Sequence, residues 1–434
     1  PFDLTIAADF ASTAEPNQLR APSPRLIGLD QDGRPSSLFW DQLRRALQAH
    51  LLPATIRFAV PQEFLLAYHD AATAFSANRP DIQVEIIALE SLPADPLSWP
   101  VDIDGAARPP DERLIAAGRV LDLTDYVASD PAFNEGDFYE QIWQGAWWQE
   151  RMWFLPHAAD MHLLFYDKPA YRQAGLAEPS LRWTWQEMAG DLEVLADAVE
   201  AGAYKAVFLD PYRTALFAYA FNLDNDCGGE ATIYCAEALS QEAIVAALAW
   251  YQSLLQDQGI TVDLATIADG ERDHAVINLT SPRNVIIWTE KPVLYEHHVL
   301  YQPTGVLPFP GSERFDGVTP LAVQGSFIST FSQNPLATWE WLKFLSYQDL
   351  ARQKRLVPAR PSVAFAVNYW DKLPRPVGEA MRIAFPFARP VLIEEAGYFS
   401  WPQLAAISSD RQTPDEVIQA MTRVRWFGRP DPSP

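Results

Sequence analysis

The chain has 434 residues, of which 48% are hydrophobic and 21% charged, and its formal net charge at pH 7 is −23. This length exceeds what a single hydrophobic core usually fills, so we expect at least two lobes. The strong acidity argues against nucleic-acid phosphates and anionic membrane surfaces as partners. The ordinary apolar fraction is typical of a globular protein and argues against disorder.

The N-terminal part of the chain contains an appended segment followed by a strand–helix–strand pattern. Residues 1–53 are rich in Pro, Asp and Gln, with one helix candidate, and we leave them unassigned. ATIRFAV then alternates like a strand, QEFLLAYHDAATAFSAN has the apolar period of a helix, and IQVEIIAL is a second strand candidate. This spacing predicts a parallel βαβ unit with a right-handed crossover.

Capping signals predict the helices of the later chain. Thr184 and Glu187 form a capping-box pattern, and Gly202 supplies a C-terminal stop. Equivalent start signals precede three more helix candidates, at Ser240, Asn334 and Thr413. Short strand candidates lie between them: KAVFLD, NVIIWT, GVLPF and LAVQGSFIST. The alternation predicts an α/β protein of two lobes, with ligand bound in a cleft at the carboxyl ends of strands.

The two cysteines, Cys227 and Cys235, stand in the segment DCGGEATIYC. The Gly-Gly pair between them allows a tight turn, so a disulfide is one interpretation for an exported chain. Two inert thiols are the other interpretation, and both stay open. No Cys or His cluster has the spacing of zinc ligands, so we expect no metal.

Motifs of nucleophilic, phosphate-binding and metal-dependent catalysis are missing from the sequence. It contains no G-x-S-x-G, no glycine-rich phosphate loop and no H-E-x-x-H. His297 and His298 are adjacent and cannot share one face of a helix or strand, so we interpret both as surface or loop residues. We therefore expect neither enzyme activity nor a cofactor.

Paired carboxylates keep one enzymatic alternative open. Asp102 with Asp104, or Glu394 with Glu395, could serve a secreted glycoside hydrolase if their carboxyl groups had the required separation. In an acidic chain such neighbouring acids more often form a solvated face.

Several motifs, in the same order along the chain, resemble those of the extracellular solute-binding proteins of ABC importers, in the maltodextrin- and multiple-sugar-binding cluster. They are GRVLDLTDY, DFYEQIW, WFLP, LLFYDKPAYRQAGL, PSLRWTWQEM, GVLPFPG, LAVQGSFIS, NPLATWEWLKFLS and RQTPDEVIQAMTRV. Together they extend the resemblance over about residues 54–434. Each motif is weak alone, and their order makes the resemblance specific.

The resemblance implies two α/β lobes joined by three hinge crossings, which close on a ligand between them. Lobe 1 would comprise residues 54–157 and 310–358, and lobe 2 residues 161–304 and 362–434. The crossings would fall at His157–Met161, near Thr304–Phe309 and near Pro358–Ser362.

The function that the resemblance implies is reversible capture of a carbohydrate, an oligosaccharide by preference, and its delivery to ABC permease subunits in the membrane. The chain would act as an extracytoplasmic monomer, periplasmic or lipid-anchored at the cell surface, with its signal segment absent from this sequence. A sensor or scaffold domain that kept the fold without transport is the alternative, since residues 1–53 have no counterpart in the family.

Candidate ligand-binding residues follow from strand ends and from family positions. Trp288 ends the strand candidate NVIIW, where binding and core packing compete as interpretations. Gly325, Ser326 and Phe327 are expected in a loop after a strand, where backbone N–H groups approach ligand. The remaining candidates are polar or aromatic residues at strand ends, crossings and the C-terminal aromatic stretch: Glu63, His157, Asp160, Tyr212, Arg360, Tyr398 and Trp401.

The stretch WFLPHAADMHLLFYDKPAYRQAGL combines an apolar strand pattern with polar residues at its centre. We interpret it as a strand that leaves one lobe at Leu155, crosses through Pro156–Asp160 and enters the other lobe at Leu163. His157 is then a candidate cleft residue, whereas His162 is expected to build the edge of the second lobe.

Overall fold

The computed structural model describes residues 54–224, 239–256, 260–262, 284–312, 317–350, 352–390, 406 and 411–417. The appended segment 1–53, both cysteines, the Glu394–Glu395 pair, Tyr398 and Trp401 lie outside the described residues.

Strands occur throughout the described chain. They are β1 (Ala54–Val60), β2 (Ile82–Ala88), β3 (Gly105–Ala106), β4 (Trp147–Trp148), β5 (Arg151–Met152), β6 (Leu155–Met161), β7 (Leu163–Asp167), β8 (Ala206–Leu209), β9 (Val285–Glu290), β10 (Thr304–Leu307), β11 (Thr319–Ile328), β12 (Val357–Pro358) and β13 (Ala388–Pro390).

Helices alternate with these strands. They are α1 (Leu65–Asn78), α2 (Glu112–Ala116), α3 (Thr124–Ser129), α4 (Glu140–Gln144), α5 (Lys168–Gln173), α6 (Trp185–Glu200), α7 (Thr214–Asp224), α8 (Gln241–Gln256), α9 (Tyr295–Val299), α10 (Pro335–Leu345), α11 (Pro361–Ala366), α12 (Tyr369–Lys372) and α13 (Arg375–Ala384). None of the described helices combines the length and the apolarity needed to cross a bilayer. The predicted α/β class is confirmed.

The described chain divides into two compact units. The first comprises residues 54–135 and 326–345, and the second the described residues of 136–325 and 346–434. The chain passes between them three times, after Glu135, Gly325 and Leu345. The lobe boundaries that the resemblance implies fall at other residues and stay a prediction.

The first unit begins with the predicted βαβ arrangement. β1 pairs in parallel with β2 along its whole length, from Ala54 opposite Ile82 to Val60 opposite Ala88, and also with the short β3. α1 buries one face, including Tyr68 and Phe75, because apolar residues recur along it with helical period. The predicted parallel unit is therefore confirmed.

Helix α10 completes the core of this first unit. Trp341 of α10 is fully buried and meets the ring edges of Phe58 at 6.0 Å and Phe75 at 5.2 Å between centroids. Such edge-to-face contacts add to the free energy gained from burying three aromatic rings. At the surface of this core, Lys343 and Trp339 both hydrogen-bond to the Asp130 carboxylate.

A four-stranded sheet in the order β10-β7-β9-β8 organises part of the second unit. β8 and β9 run parallel, while β7 runs antiparallel to β9 and β10. The carboxyl ends of β8 and β9 consequently lie at the same edge of the sheet as the first residue of β7. We call this the Leu209–Glu290 edge.

Strands β6 and β7 account for the polar stretch in the sequence. β6 pairs with β12, with Ala158 opposite Pro358, and β7 pairs with β9 and β10 in the four-stranded sheet. A single residue, His162, separates the two strands. The chain therefore changes sheets at His162, and every residue from Leu155 to Asp167 is buried.

Helix boundaries follow the capping signals closely. Thr184 caps α6 through the reciprocal bonds of a capping box with Glu187, and Gly202 lies just past its end at φ 74°. Thr413 and Glu416 make the same pair of bonds at the last described helical turn. These local predictions are confirmed because each depends on residues three positions apart.

Candidate functional site

The Leu209–Glu290 edge brings together polar residues from three parts of the second unit. Asp210 and Tyr212 follow β8, Lys291 follows β9, and His162 precedes β7. The register places them near one another, because Leu163 pairs with Glu290 and Leu209 with Trp288. Open α/β sheets bind ligands at the carboxyl ends of their parallel strands.

Lys291 lies at the centre of this group. Its Nζ is 3.2 Å from Oδ2 of Asp160, and the two side chains are 24% and 11% exposed. The same ammonium lies 5.6 Å from the ring centroid of Tyr212, within cation–π range. A cation, a carboxylate and a half-buried aromatic face are therefore combined at one place. We call Asp160, His162, Tyr212 and Lys291 the edge cluster.

His162 contributes a neutral imidazole to the edge cluster. Burial lowers the pKa of His162 well below its ordinary value, and the positive charge of Lys291 lowers it further. The ring meets that of Tyr212 edge-on at 4.7 Å between centroids. Nδ1 of His162 is buried and has no hydrogen-bond partner among the described residues. His162 is 1% exposed, so it adds a neutral, buried ring that supports Tyr212.

Asp210 fixes the turn that carries Tyr212. Its buried carboxylate accepts hydrogen bonds from Thr214 N and Ala215 N, both at 2.9 Å, and from Thr289 Oγ1 at 2.8 Å. These bonds cap α7 and tie the end of β8 to β9. Burial raises the pKa of Asp210, while the bonds from Thr289 and the start of α7 oppose this shift.

The turn also holds one residue in an unusual backbone conformation. Arg213 is buried and has φ 60°, in the left-handed region that non-glycine residues seldom occupy. Such conformations cost free energy and persist where the surroundings hold them, often at ligand sites.

His157 and Arg360 lie together away from the edge cluster. Ala359 N donates to the His157 carbonyl oxygen at 2.9 Å, which places Arg360 beside β6. Burial and then the charge of Arg360 lower the pKa of His157 to about 3. His157 is therefore neutral over the physiological pH range.

Arg360 is fully buried and joins several chain segments. Its guanidinium carbon lies 3.8 Å from the ring centroid of Phe138 and 3.9 Å from that of Tyr347. Nε donates to Ser346 Oγ at 3.0 Å, and Nη1 lies 3.6 Å from Asp137 Oδ2. Burial lowers the pKa of Arg360, and the neighbouring Tyr347 and Asp137 counteract that shift. These contacts favour the structural interpretation of Arg360.

Trp288 and the segment Gly325–Phe327 occupy core positions. Trp288 is fully buried, with His298 at 5.0 Å and Phe165 at 5.8 Å between ring centroids, so burial favours packing over binding. Gly325, Ser326 and Phe327 lie within β11, and the expectation that they form a loop after a strand is wrong. A Cβ on Gly325 would collide with Phe154 and Leu155, so the glycine allows close strand packing.

The interpretation of both adjacent histidines as surface residues is wrong for one of them. His297 is exposed, whereas His298 is buried, with Nε2 3.6 Å from Oε2 of Glu290. Both lie on α9, where consecutive side chains differ in direction by about 100°. One histidine therefore faces the protein and its neighbour faces water.

Glu63 belongs to the first unit, whereas the edge cluster belongs to the second. It stands in the short 3₁₀ turn Gln62–Phe64 that follows β1, and its side chain is exposed. The structure thus brings Asp160 and Tyr212 together from the set of predicted site residues, and it places His157 with Arg360.

Two functional candidates, Lys291 and His162, were missed as ligand residues by sequence reasoning. Lys291 directly follows the apolar strand NVIIWTE, and a charged residue at that position is the signal that could have identified it. Within the described ranges, no group of three or more His, Cys, Asp or Glu side chains is placed to hold a metal ion.

Comparison with protein families gives one match that spans most of the chain. The sequence profile of the family described as bacterial extracellular solute-binding protein matches residues 60–346. No curated protein sequence matches the chain.

Three solved structures illustrate the fold similarity. An ABC substrate-binding protein of Listeria monocytogenes in complex with cycloalternan has a TM-score of 0.63 at 16% identity, covering 86% of this chain and 100% of that one. The GacH receptor of Streptomyces glaucescens, solved with acarbose, has a TM-score of 0.58 at 19% identity, with 86% and 98% covered. The sugar-binding protein MalE of Xanthomonas citri has a TM-score of 0.60 at 18% identity, with 86% and 99% covered. At these identities the similarity shows a shared fold.

Proposed function

Because the chain belongs to the bacterial extracellular solute-binding protein family, we propose that it binds a carbohydrate reversibly and delivers it to the permease subunits of an ABC importer. The ligand class is suggested by the structural relatives, whose ligands include cycloalternan and acarbose. An oligosaccharide is the preferred ligand, since both of those relatives bind more than a single sugar ring.

The edge cluster is the observation that carries the carbohydrate proposal. The Asp160 carboxylate can accept from sugar hydroxyl groups, and the Lys291 ammonium can donate to them. The half-buried ring of Tyr212 offers an apolar face for the C–H side of a sugar ring. Directional polar groups beside an aromatic face are typical of small-molecule binding sites.

Charge balance within the edge cluster favours an uncharged ligand. Asp160 and Lys291 compensate each other at 3.2 Å, and His162 is neutral because burial lowers its pKa. A ligand that carried a net charge would meet no uncompensated opposite charge from these side chains. Neutral polyhydroxylated compounds fit this balance.

Binding can be tested by isothermal titration calorimetry of the full chain with maltose, maltotetraose and a cyclic glucan. We expect saturable heat with a dissociation constant on the order of micromolar for at least one oligosaccharide, and a matching rise in melting temperature. The sugar should be recovered intact after prolonged incubation, since the proposal includes no bond cleavage. Absence of both heat and thermal shift across mono-, di- and oligosaccharides would contradict the carbohydrate proposal.

We further propose that the chain works as a monomer outside the cytoplasm, either periplasmic or anchored at the cell surface by lipid. Family membership supports the extracytoplasmic location. Fractionation of the producing cells distinguishes the periplasmic from the anchored form, and light scattering on the purified chain measures its mass. A cytoplasmic location of the mature protein would contradict this part of the proposal.

A further inference from the structure

A pocket in the second unit differs in character from the edge cluster. It lies between the 3₁₀ turn Arg352–Lys354, β12 and α12, and has a volume of about 200 Å³. Its polar lining residues are Asp349, Arg352, Arg355, Tyr369 and Lys372, and the rest of its wall is aliphatic. None of these residues belongs to the edge cluster, although Tyr369 lies near enough to Asp160 for that carboxylate to help raise the pKa of Tyr369.

The charge of this pocket is opposite to that of the whole chain. Two arginines and one lysine line it against a single aspartate, whereas the chain carries a formal net charge of −23. Asp349 lies beside Arg352 and Lys372, and Glu296 pairs with Arg355, so three cations meet two carboxylates and a net positive charge remains. Arg352 and Lys372 are exposed, so their side chains can adjust to an incoming group.

Arg355 is the least exposed of the three cations. Its carbonyl oxygen accepts from the Tyr369 hydroxyl at 2.8 Å, and Nη2 pairs with Glu296 Oε2 at 2.6 Å. Its backbone has φ 51°, in the left-handed region that favours glycine. An arginine at a position that suits glycine costs stability, which the observed contacts of its guanidinium help to offset.

One nitrogen of the Arg355 guanidinium lacks a hydrogen-bond acceptor among the described residues. This nitrogen, Nη1, is buried. A buried donor without an acceptor is unfavourable, so an acceptor oxygen that reached this nitrogen after a small movement of the side chain would stabilise it. Arginine donates two parallel hydrogen bonds to phosphate or carboxylate oxygens.

Asp349 opposes an anion in this pocket. Burial raises the pKa of the Asp349 carboxyl, whereas the charges of Arg352 and Lys372 act to lower it. An anion that bound beside Asp349 would compete with it for the same two cations. Removing this carboxylate should therefore strengthen anion binding.

We propose that this pocket binds a phosphate group, either free or as the end of a small metabolite. Arg355 and Arg352 would donate hydrogen bonds to its oxygens, Lys372 would add a point charge, and the aliphatic wall would contact the attached organic group. The proposal is argued from the lining of this pocket and does not rest on carbohydrate capture at the edge cluster.

Phosphate binding can be measured by calorimetry of the full chain in a chloride buffer, with inorganic phosphate and glycerol 3-phosphate as probes. We expect a dissociation constant on the order of 0.1–1 mM for the better probe. Tighter binding of glycerol 3-phosphate indicates an esterified ligand, and tighter binding of inorganic phosphate indicates the free ion; either result supports the site. Lack of saturable binding of both probes up to about 10 mM would overturn the proposal.

Variants separate the pocket from general charge effects. Arg352→Gln and Lys372→Gln should each weaken binding about tenfold, and Asp349→Asn should strengthen it several-fold. The matched control is Arg375→Gln, since the Arg375 side chain is 88% exposed and pairs with Glu379 outside the pocket. Unchanged phosphate affinity in both R352Q and K372Q, or an equal loss in R375Q, would also overturn the proposal. Melting temperatures of all variants show that each remains folded.

Discussion

Lys291 and Asp160 form an ion pair that is largely withdrawn from water, with 24% and 11% of their side chains exposed. The chain contains a close counterpart at the surface. Lys168 lies 2.8 Å from Glu178 Oε2 and 5.9 Å from the ring centroid of Tyr166, and its pair is 34% and 39% exposed. The two lysines have similar partners, and the pairs differ mainly in the burial of the carboxylate, which makes the lysines a matched pair for mutation.

Lys291→Met should lower the free energy of unfolding by about 2–3 kcal/mol and weaken oligosaccharide binding at least tenfold. The reason is that Asp160 would keep a poorly solvated negative charge beside an apolar side chain. Lys168→Met should cost less than about 1 kcal/mol and leave ligand affinity unchanged, because water screens the exposed pair. Urea denaturation and calorimetry measure both quantities. Equal effects of the two substitutions would show that burial of the Lys291–Asp160 pair contributes neither to stability nor to ligand affinity.

Protonation of His157 should make the protein less stable in mild acid. Its pKa in the folded protein is about 3, below the value of about 6.5 in an unfolded chain. Between these two values the unfolded chain binds the extra proton, so stability falls as the pH decreases from about 6.5 towards 3. At pH 5 the loss from this residue should be about 2 kcal/mol relative to neutral pH.

The His157→Gln variant tests this assignment through unfolding free energies at pH 7 and pH 5. The loss of unfolding free energy between pH 7 and pH 5 should be about 2 kcal/mol smaller in the variant than in the parent protein. Some loss should remain in the variant, because burial also lowers the pKa of His162. His69→Gln serves as the control, because His69 is exposed on α1. An undiminished pH dependence in H157Q would refute the role of His157.

Asp210→Ala should be one of the more destabilising single substitutions in the second unit, at about 3–4 kcal/mol. It leaves the amide groups at the start of α7 and the Thr289 hydroxyl without their acceptor in a buried place. Thr184→Ala removes the cap of α6, which is more exposed, and should cost only about 1 kcal/mol. A similar cost for the two caps, measured by urea denaturation, would mean that the Asp210 network relaxes or takes up water.

Trp288→Leu distinguishes core packing from ligand contact. Since Trp288 is fully buried, the variant should lose about 3 kcal/mol of stability and keep its ligand dissociation constant within about twofold. Tyr212→Leu, at the half-buried ring beside Lys291, should show the opposite balance, with about tenfold weaker binding and a smaller loss of stability. Weak binding in W288L with unchanged stability would restore the binding role considered from the sequence.

Local signals in the sequence predicted local structure well. The capping box of Thr184 and Glu187 and the strand pattern of residues 54–60 each depend on neighbours a few residues apart, and the structure confirms both. The consecutive apolar residues NVIIW likewise indicated a buried strand, and all residues of β9 are buried. The family resemblance added the three passages of the chain between two lobes, which no local pattern determines.

The candidate site could be predicted only in part because its geometry depends on strand register. Asp160 and Lys291 come together because β7 pairs with β9, and no residue near either one encodes that pairing. The very short β3 and β12 gave no signal either, since two residues cannot show an alternation. The burial of His298 was missed because the sequence around it did not indicate which side of α9 faces the protein.

The carboxylate of Asp210 also restricts what the proposed carbohydrate site at the Leu209–Glu290 edge can select. The first turn of a helix attracts anions, and at α7 that place is filled by a side chain of the protein itself. A sugar acid or sugar phosphate arriving at this edge would find the attractive amide groups taken and a negative charge beside them. Discrimination against acidic nutrients would then come from Asp210 at the start of α7. Substituting the side chains that touch the sugar would leave this discrimination in place.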